Sequence, residues 1–436
     1  MRAVILASGR SQRLEPFRDK VLVEFLGETL LSYQINQLKN AGITDLVVIY
    51  GAHNEMAIRE QVAKFAQTIE LVEQEELELG MAGALLSLAK VRPDAEAWLV
   101  VSSNDVISET GLARFLNNIA TAPQSGRILA KTVDSYFPGG YLSLAANQQV
   151  VSIIEKPKPG TEPSDLVNLV YHYHPDSSQL VAELKAVVAS KQANNQDLYE
   201  QALDQLFKSE RNAYFAEAYD GYWYTIKYPW HIYDMAKGIF QAKDSYISPD
   251  SEISPAATII GPVIIEKGVR IEANAYIKGP VYLGENTLVG VGAFIRESFI
   301  GADCIIGYNT EIARSYLSRR VRTHLNYVGD SIIGENVSFG AGTVTGNLRL
   351  DEEPVLVNIK GEKLDSGRNK LGIITGDNIR IGIGVSLMPG VEIGSNTMIA
   401  GHLAINEDIP DNSFVKSNGT IPTIEIRPNQ KQIPQI

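Results

Sequence analysis

From Ile247 onward an aliphatic residue recurs every six positions: Ile247, Ile253, Ile259, Ile265, Ile271, Ile277, Leu283, Val289 and Ile295. The register slips by one and continues at Ile300, Ile306 and Ile312. It returns at Ile333 and Phe339, and again at Ile381, Leu387, Ile393, Ile399 and Ile405. A helix cannot align every sixth residue on one face, and a simple strand needs a period of two. A parallel β-helix satisfies the period: short strands and turns coil, and each coil stacks on the next with its aliphatic residue pointing into the prism. Gly follows directly in Leu283-Gly284, Ile300-Gly301, Ile306-Gly307, Ile333-Gly334 and Ile393-Gly394, where it is expected to allow a tight corner. Residues 347–369 break the period and carry Asp351, Glu352, Glu353 and Lys360, so a long projecting loop is expected. Periodicity is lost after Pro410, and the chain ends in a polar tail, Arg427–Ile436.

Residues 1 to about 225 have another texture. Short apolar or β-branched runs (Arg2–Leu6, Leu46–Tyr50, Thr68–Val72, Trp98–Ser102, Arg127–Thr132) alternate with helical stretches. In the stretch Leu30–Asn40, Leu31, Gln34, Ile35 and Leu38 share a face and Gly42 follows as a stop; Met56–Phe65 and Ala82–Leu88 are similar. Strand-helix alternation implies a parallel, doubly wound sheet that binds ligands at the carboxyl ends of its strands. Tyr228–Ala242, opened by Pro229, reads as a helix bridging the two textures.

Composition limits the functions such a chain can have. Its 436 residues suggest two or three domains, enough for a large core. The one cysteine, Cys304, forms no internal disulfide, which excludes a disulfide-framed secreted domain and favours a reducing, cytoplasmic setting. The apolar run Ala3–Ala7 is too short for a signal peptide, and no later run approaches the roughly 18 residues of a membrane span. A net charge of −12 argues against nucleic-acid or membrane-surface partners. Small phosphorylated substrates need only a local basic site, so they stay open.

Such a site follows the first strand. Residues 7–20 contain Ala7, Gly9, Arg10, Arg13, Arg18 and Lys20; backbone amides and Gly9 can cradle an anion while Arg13 and Lys20 supply charge. Taken alone, the loop reads equally well as polar surface. Other features accompany it in order: Gln74 opening Gln-Glu-Glu-Leu-Glu-Leu-Gly-Met-Ala-Gly-Ala-Leu, Asp105 after the strand Trp98–Ser102, Glu155-Lys156-Pro157, Asn168, and Trp223 ahead of Ile226 and Pro229. Over residues 1–240 this set resembles the nucleoside-triphosphate: sugar-1-phosphate nucleotidyltransferases. The resemblance implies a Rossmann-like domain in which Leu6, Ala7, Gly9, Arg13, Lys20, Gln74 and Gly80 bind nucleotide, with Arg13 and Lys20 holding phosphates and Gln74 and the Gly80 backbone reading the base. It assigns Gly140, Glu155 and Asn168 to the sugar and Asp105 to Mg2+. Ser11 stands where that family has a second Gly, Gln12 replaces Thr, Asp19 replaces Pro, Met81 replaces Thr, and Thr225 occupies the place of a second metal-binding Asp.

A second constellation lies at Arg322–Asn347, which reads Arg-Thr-His-Leu-Asn-Tyr-Val-Gly-Asp … Gly-Ala-Gly-Thr … Asn, with His324 where the hexad register is interrupted. A lone His is ordinarily a surface or structural residue. This run, with Gly-Arg-Asn-Lys-Leu-Gly at 367–372, resembles the hexapeptide-repeat glucosamine-1-phosphate N-acetyltransferases, especially their archaeal-type members. The resemblance implies a left-handed β-helix, acetyl-CoA as co-substrate along its groove, and a homotrimer with acyl sites between subunits. It makes His324 the general base and Glu311 the residue that orients it. Tyr327 and Asn347 position substrate, Arg296 binds its phosphate, and Lys370 lies near the phosphate or the acetyl donor. Ala313 sits where that family has a Lys, with Arg314 adjacent.

The expected fold class is therefore α/β: a doubly wound Rossmann-like nucleotidyltransferase domain (1–228), a linker helix (229–246), a β-helix (247–420) and a tail (421–436). Together the halves resemble bifunctional enzymes of UDP-N-acetylglucosamine synthesis, using UTP or another nucleoside triphosphate, a sugar-1-phosphate and acetyl-CoA. The alternatives are a single-activity nucleotidyltransferase on a trimerising β-helix, or an acetyltransferase or sugar-nucleotide sensor with a degenerate nucleotidyl domain.

Overall fold

The computed structural model describes residues 1–17, 19–66, 68–190, 197–209, 213–417 and 422–426. Arg18 of the basic cluster and the polar tail from Arg427 lie outside these residues. The chain divides into two compact units: Met1–Arg10 with Thr29–Tyr224, and Ser11–Glu28 with Thr225–Ile436.

The first unit is built on a mixed sheet. Arg2–Leu6 lies between Leu46–Tyr50 and Trp98–Ser102, all parallel, and Glu70–Glu73 extends the parallel edge. The three inner strands are mostly Val, Ile and Leu because both faces are covered, whereas the edge strand Glu-Leu-Val-Glu buries only Val72. The parallel expectation holds for these four strands and for Tyr214–Ala218, which runs parallel to Gly126–Thr132. Leu166–His174 runs antiparallel to Trp98–Ser102 and to Gly126–Thr132, and Gly140–Leu144 pairs with Val150–Glu155 as an antiparallel hairpin. Beyond residue 126 short turns join several strands directly, and antiparallel pairing is what a short turn permits. The helix Leu30–Asn40 matches its expected bounds, with the Thr29 hydroxyl accepting from the Ser32 N–H at its start.

The second unit stacks short parallel strands into three sheets of eight, ten and eight strands, the arrangement of a three-sided β-helix. The interior columns follow the period. One runs Ile247, Ile265, Leu283, Ile300, Leu317; a second Ile253, Ile271, Val289, Ile306, Thr323; a third Ile259, Ile277, Ile295, Ile312, Val328. The apparent interruption between Ile312 and Ile333 is therefore not a break. Leu317, Thr323 and Val328 fill the interior positions, and Thr345 and Thr375 do so in later coils. These threonines escape an aliphatic pattern, yet they are buried with their hydroxyls satisfied. Thr323, Thr345 and Thr375 accept from the Gly307, Gly329 and Gly334 N–H groups at 3.1, 2.9 and 2.9 Å.

The glycines that follow the interior residues serve packing rather than a left-handed turn. A Cβ on Gly284 would lie 2.5 Å from the Ala302 nitrogen, and one on Gly307 would lie 2.2 Å from the Thr323 carbonyl oxygen of the next coil. The left-handed corners instead fall to asparagine, to other side chains such as Glu297, Arg314 and Arg320, and to a different set of glycines. Asn336, Asn378, Asn396 and Asn412 all have φ near +57°, a region Asn tolerates better than most residues. Their carboxamides form a ladder, Asn336 to Asn378 at 2.9 Å, Asn378 to Asn396 at 3.2 Å and Asn396 to Asn412 at 3.2 Å.

Residues 347–369 carry a hairpin, Leu356–Ile359 with Glu362–Asp365, and Val355 and Val357 are buried, so the segment is partly packed rather than a free projection. The helix His231–Gln241 belongs to this unit. Tyr233 and Phe240 pack on Phe299, the Tyr233 hydroxyl donates to the Glu297 carbonyl at 2.9 Å, and Asp234 pairs with Arg368.

Replacing Asn378 separates conformation from bonding. Asn378→Gly loses two ladder bonds, about 1 kcal/mol each. Asn378→Ala loses the same bonds and also strains the corner, so urea unfolding should show it less stable than the Gly variant by about 1 kcal/mol. Equal stability would mean the corner conformation contributes nothing.

Candidate active sites

In the first unit, Leu6 and Ala7 are buried, and Gly9 and Arg10 are exposed beyond them. The Ala7 N–H donates to Ile49 O at 2.8 Å, and Asn54 Nδ2 donates to Ala7 O at 2.9 Å. Ser8 donates its hydroxyl to Gln74 Oε1. Gln74 is buried, and its amide donates to the Glu76 and Gly80 carbonyls at 2.9 and 2.8 Å. Both donors of the side chain expected to read a base are thus taken by the protein's own backbone. The carboxamide braces the turn before Gly80, which opens the helix Gly80–Val91. Ser8 lies inside the loop motif but is recognisable as the brace only in the fold.

Asp105 follows a two-residue turn and opens the short strand Asp105–Ile107. Its position is set from beneath: Gln34 Nε2 donates to the Ser102 and Asp105 carbonyls at 2.9 and 2.8 Å, and Gln37 Nε2 donates to Ile107 O at 2.7 Å. The Trp223 indole donates to Asp105 Oδ1 at 2.9 Å. Among the described residues no group of three or more His, Cys, Asp or Glu gathers as a metal cage.

The three expected sugar residues converge. A Cβ on Gly140 would lie 2.6 Å from Asn168 Oδ1 and 3.0 Å from Glu155 Oε2, so this close approach is open only to glycine. Lys156 Nζ bridges Glu155 Oε1 at 3.0 Å and Asp197 Oδ1 at 2.8 Å. Behind them Glu200 is buried, which raises its carboxyl to about 8, and the Glu155 charge adds to the rise.

Arg13 and Lys20 belong with the second unit. Ser11 adopts φ +52°, so the left-handed conformation persists where the resembling family has Gly, and its hydroxyl accepts from the Lys20 N–H at 3.1 Å. Arg13 is exposed and lines a cavity of about 170 Å³ with Gln12, Glu15, Asn358, Lys360 and Glu392, where Lys360 Nζ donates to Gln12 Oε1 at 2.7 Å. Thr225 closes the strand Trp223–Thr225 and is half-buried.

His324 is exposed on the corner between the strands Arg322–Thr323 and Tyr327–Gly329. This corner has three residues, where the coil before it, between Ile306 and Glu311, has four. The missing residue is one source of the shifted register. Leu325 takes φ +51° at the corner position where Asn309 of the coil before and Gly342 of the coil after are also left-handed, a conformation that costs Leu more than either. Asn326 locks the corner from inside: its carboxamide accepts from the His324 N–H and donates to the Gly340 and Thr343 carbonyls, each at 2.9 Å.

On the adjoining face, Glu311 stacks beside Tyr327. The carboxylate of Glu311 is held by Arg296 at 2.9–3.0 Å, and no hydrogen bond joins it to His324. The expected base–orienter pair is therefore not formed within one chain, and Arg296, expected to bind phosphate, is neutralised. Tyr327 and Asn347 do meet: Asn347 Nδ2 donates to the Tyr327 hydroxyl at 3.1 Å and also to Asp330. Arg314 grips Asp330 with two bonds of 2.6 and 2.7 Å, so it is not free to replace the Lys absent at Ala313. Asp330 stands in the Gly-Asp of the motif, but its role as hub appears only in the fold. Lys370 is exposed and bridges Leu348, beside Asn347.

Comparison with known proteins finds relatives for both halves of the chain. The nucleotidyl transferase family model matches residues 2–237, and the GMPPB C-terminal domain model matches residues 242–350. A bifunctional sugar-1-phosphate nucleotidylyltransferase/acetyltransferase of Sulfurisphaera tokodaii is 34% identical over 95% of this chain and 100% of that protein. The bifunctional protein GlmU of Methanococcus vannielii and that of Methanocaldococcus jannaschii are each 32% identical, over 95% of this chain and 97% of theirs. The chain belongs to the nucleotidyl transferase family and, within it, to the bifunctional sugar-1-phosphate nucleotidylyltransferase/acetyltransferases.

Proposed function

We propose that this bifunctional enzyme acetylates glucosamine-1-phosphate with acetyl-CoA and then transfers uridylyl from UTP to the N-acetylglucosamine-1-phosphate formed. The observation that carries the reading is the convergence of Glu155 and Asn168 on Gly140, in a chain whose separate β-helix presents His324 on an exposed, internally braced corner.

In acetyl transfer the sugar amine attacks the thioester carbonyl. His324 removes a proton from the amine as the new C–N bond forms, and the C–S bond breaks to release the thiol. Tyr327, Asn347 and Lys370 hold the sugar phosphate beside it. Because Arg296 and Glu311 neutralise each other in the single chain, their roles in phosphate binding and base orientation require the pair to open or a neighbouring subunit to complete the site. A homotrimer is the assembly in which that happens.

In uridylyl transfer a phosphate oxygen of the sugar-1-phosphate attacks the α-phosphorus of UTP, and the bond to the bridging oxygen breaks with pyrophosphate leaving. Leu6, Ala7, Gly9 and the backbone at Gly80 seat the nucleotide, whose phosphates need cationic partners. Gln74 acts by bracing the turn rather than by reading the base. The residues fit Mg2+ of a restricted kind. Asp105 supplies one carboxylate, and octahedral Mg2+ is commonly held by one or two carboxylates together with substrate phosphates and water. When bound, that ion neutralises charge on the reacting phosphates.

Two variants of the full chain test the division of labour. His324→Ala should lower thiol release from acetyl-CoA by at least about 100-fold and leave pyrophosphate release from UTP and N-acetylglucosamine-1-phosphate within about twofold. Asp105→Asn should do the reverse, cutting pyrophosphate release by about 100-fold or more. Unchanged thiol release in the first would remove the proposed base. Absent pyrophosphate release in the parent enzyme across UTP, dTTP and GTP would leave a degenerate nucleotidyl domain.

A further inference from the structure

Asn168 and Glu155 turn two acceptors, Oδ1 and Oε2, toward the space beside Gly140. Among the described residues neither oxygen accepts a hydrogen bond, so a ligand reaching them must bring donors. Which edge of a carboxamide faces a pocket depends on what holds the other edge. Here Asn168 Nδ2 lies 3.3 Å from His172 Nε2, and His172 begins a buried chain. His172 Nδ1 is 2.8 Å from the Tyr199 hydroxyl, which is 3.2 Å from His174 Nε2; His174 Nδ1 is 2.9 Å from the Tyr214 hydroxyl. Both imidazoles are fully buried.

A neutral imidazole has one N–H and one lone pair, so each bond fixes the next. If Nε2 of His172 accepts from Asn168, its Nδ1–H donates to Tyr199, Tyr199 donates to Nε2 of His174, and Nδ1–H of His174 donates to Tyr214. Both rings and the Tyr199 hydroxyl then have each bond they can make along the chain, the Tyr214 hydroxyl accepts from His174, and reversing one bond reverses all of them. Burial holds both rings neutral: His172 falls to about 3 and His174 well below its ordinary value. The Leu169 carbonyl, which offsets part of that burial for His172, is the acceptor a reversed chain would use.

We propose that His172 is a positioning residue for sugar recognition: the buried His172–Tyr199–His174–Tyr214 chain sets the Asn168 carboxamide so that its oxygen faces the pocket, which then selects sugars by their hydroxyl or amide N–H donors. This rests on the assignment of Gly140, Glu155 and Asn168 to the sugar.

The test measures KM for N-acetylglucosamine-1-phosphate, KM for UTP and kcat in pyrophosphate release by the full chain. Asn168→Ala should raise the sugar KM about tenfold, the scale of one hydrogen bond. His172→Phe should do the same with UTP KM and kcat within about twofold, and Asn168→Ala/His172→Phe should be no worse than Asn168→Ala alone, because both act through one contact. His172→Gln, whose amide can accept and donate in the same places, should recover most of the loss. Tyr199→Phe keeps the ring and removes the relaying hydroxyl, so it carries the test should His172→Phe not fold, and it should raise the sugar KM severalfold. An unchanged sugar KM in Asn168→Ala overturns the sugar-site reading itself. A raised KM there, with unchanged values in folded His172→Phe or in Tyr199→Phe, overturns the relay. So does an additive double variant. The reversed chain, with the Asn168 amide facing the pocket, is revealed if Asn168→Asp binds the sugar as poorly as Asn168→Ala while Asn168→Ser, also able to donate, restores it; that result overturns the stated polarity.

Discussion

Backbone pairing between successive coils governs the second unit. Each strand bonds to the strand one coil away, so a residue's position around the prism fixes both its interior neighbour and its outer one. The fit is close enough that Gly284 and Gly307 have no room for a Cβ, and the corners need residues that tolerate a left-handed backbone. The outer columns follow from the same pairing. Phe294, Glu311 and Tyr327 stack in one, and Arg296, Ala313 and Gly329 in the next. Chemistry can therefore be written onto the surface one coil at a time without altering the core. The corner that carries His324 is one residue shorter than that of the coil before it, and Asn326 holds it from inside while Leu325 takes the left-handed conformation common to this edge.

The first unit solves a different problem, holding polar side chains at the ends of buried strands. It does so with amides placed behind the site. Gln34 and Gln37 fix the strand ends near Asp105, and Gln74 fixes the turn before Gly80. Asn168 is held in turn by the buried histidine chain. Such groups are costly to bury without partners, and their amide nitrogens are all bonded, although Gln34 Oε1 has no partner among the described residues.

Much of this was readable in the sequence where local pattern and tertiary environment agree. Leu30–Asn40 combined an apolar face with a stop at Gly42, and its bounds are as expected. The interior residues from Ile265 to Ile295, spread over three columns, followed from period alone. Thr323 did not, because its burial depends on a hydroxyl bonded to the Gly307 N–H of the preceding coil, a partner no local pattern discloses. The antiparallel half of the first sheet was missed for a related reason: alternation of strand and helix says nothing about pairing partners once short turns replace crossover helices. Motif order located Gly140, Glu155 and Asn168. It could not show that Glu311 would be held by Arg296, that Arg314 would be gripped by Asp330, or that Gln74 would face inward. Those outcomes depend on which neighbour a side chain meets first.

The two reactions share a chemical intermediate, since an acetylated sugar-1-phosphate is the product of one and the substrate of the other. The most direct measurement of the whole account supplies the full-length enzyme with isotopically labelled glucosamine-1-phosphate, acetyl-CoA, UTP and Mg2+, and follows the label by mass spectrometry. The account predicts a UDP-sugar that carries both the label and one acetyl group, with the acetylated sugar-1-phosphate appearing first. Accumulation of the acetylated sugar phosphate without any nucleotide sugar, or a nucleotide sugar that lacks the acetyl group, would contradict it.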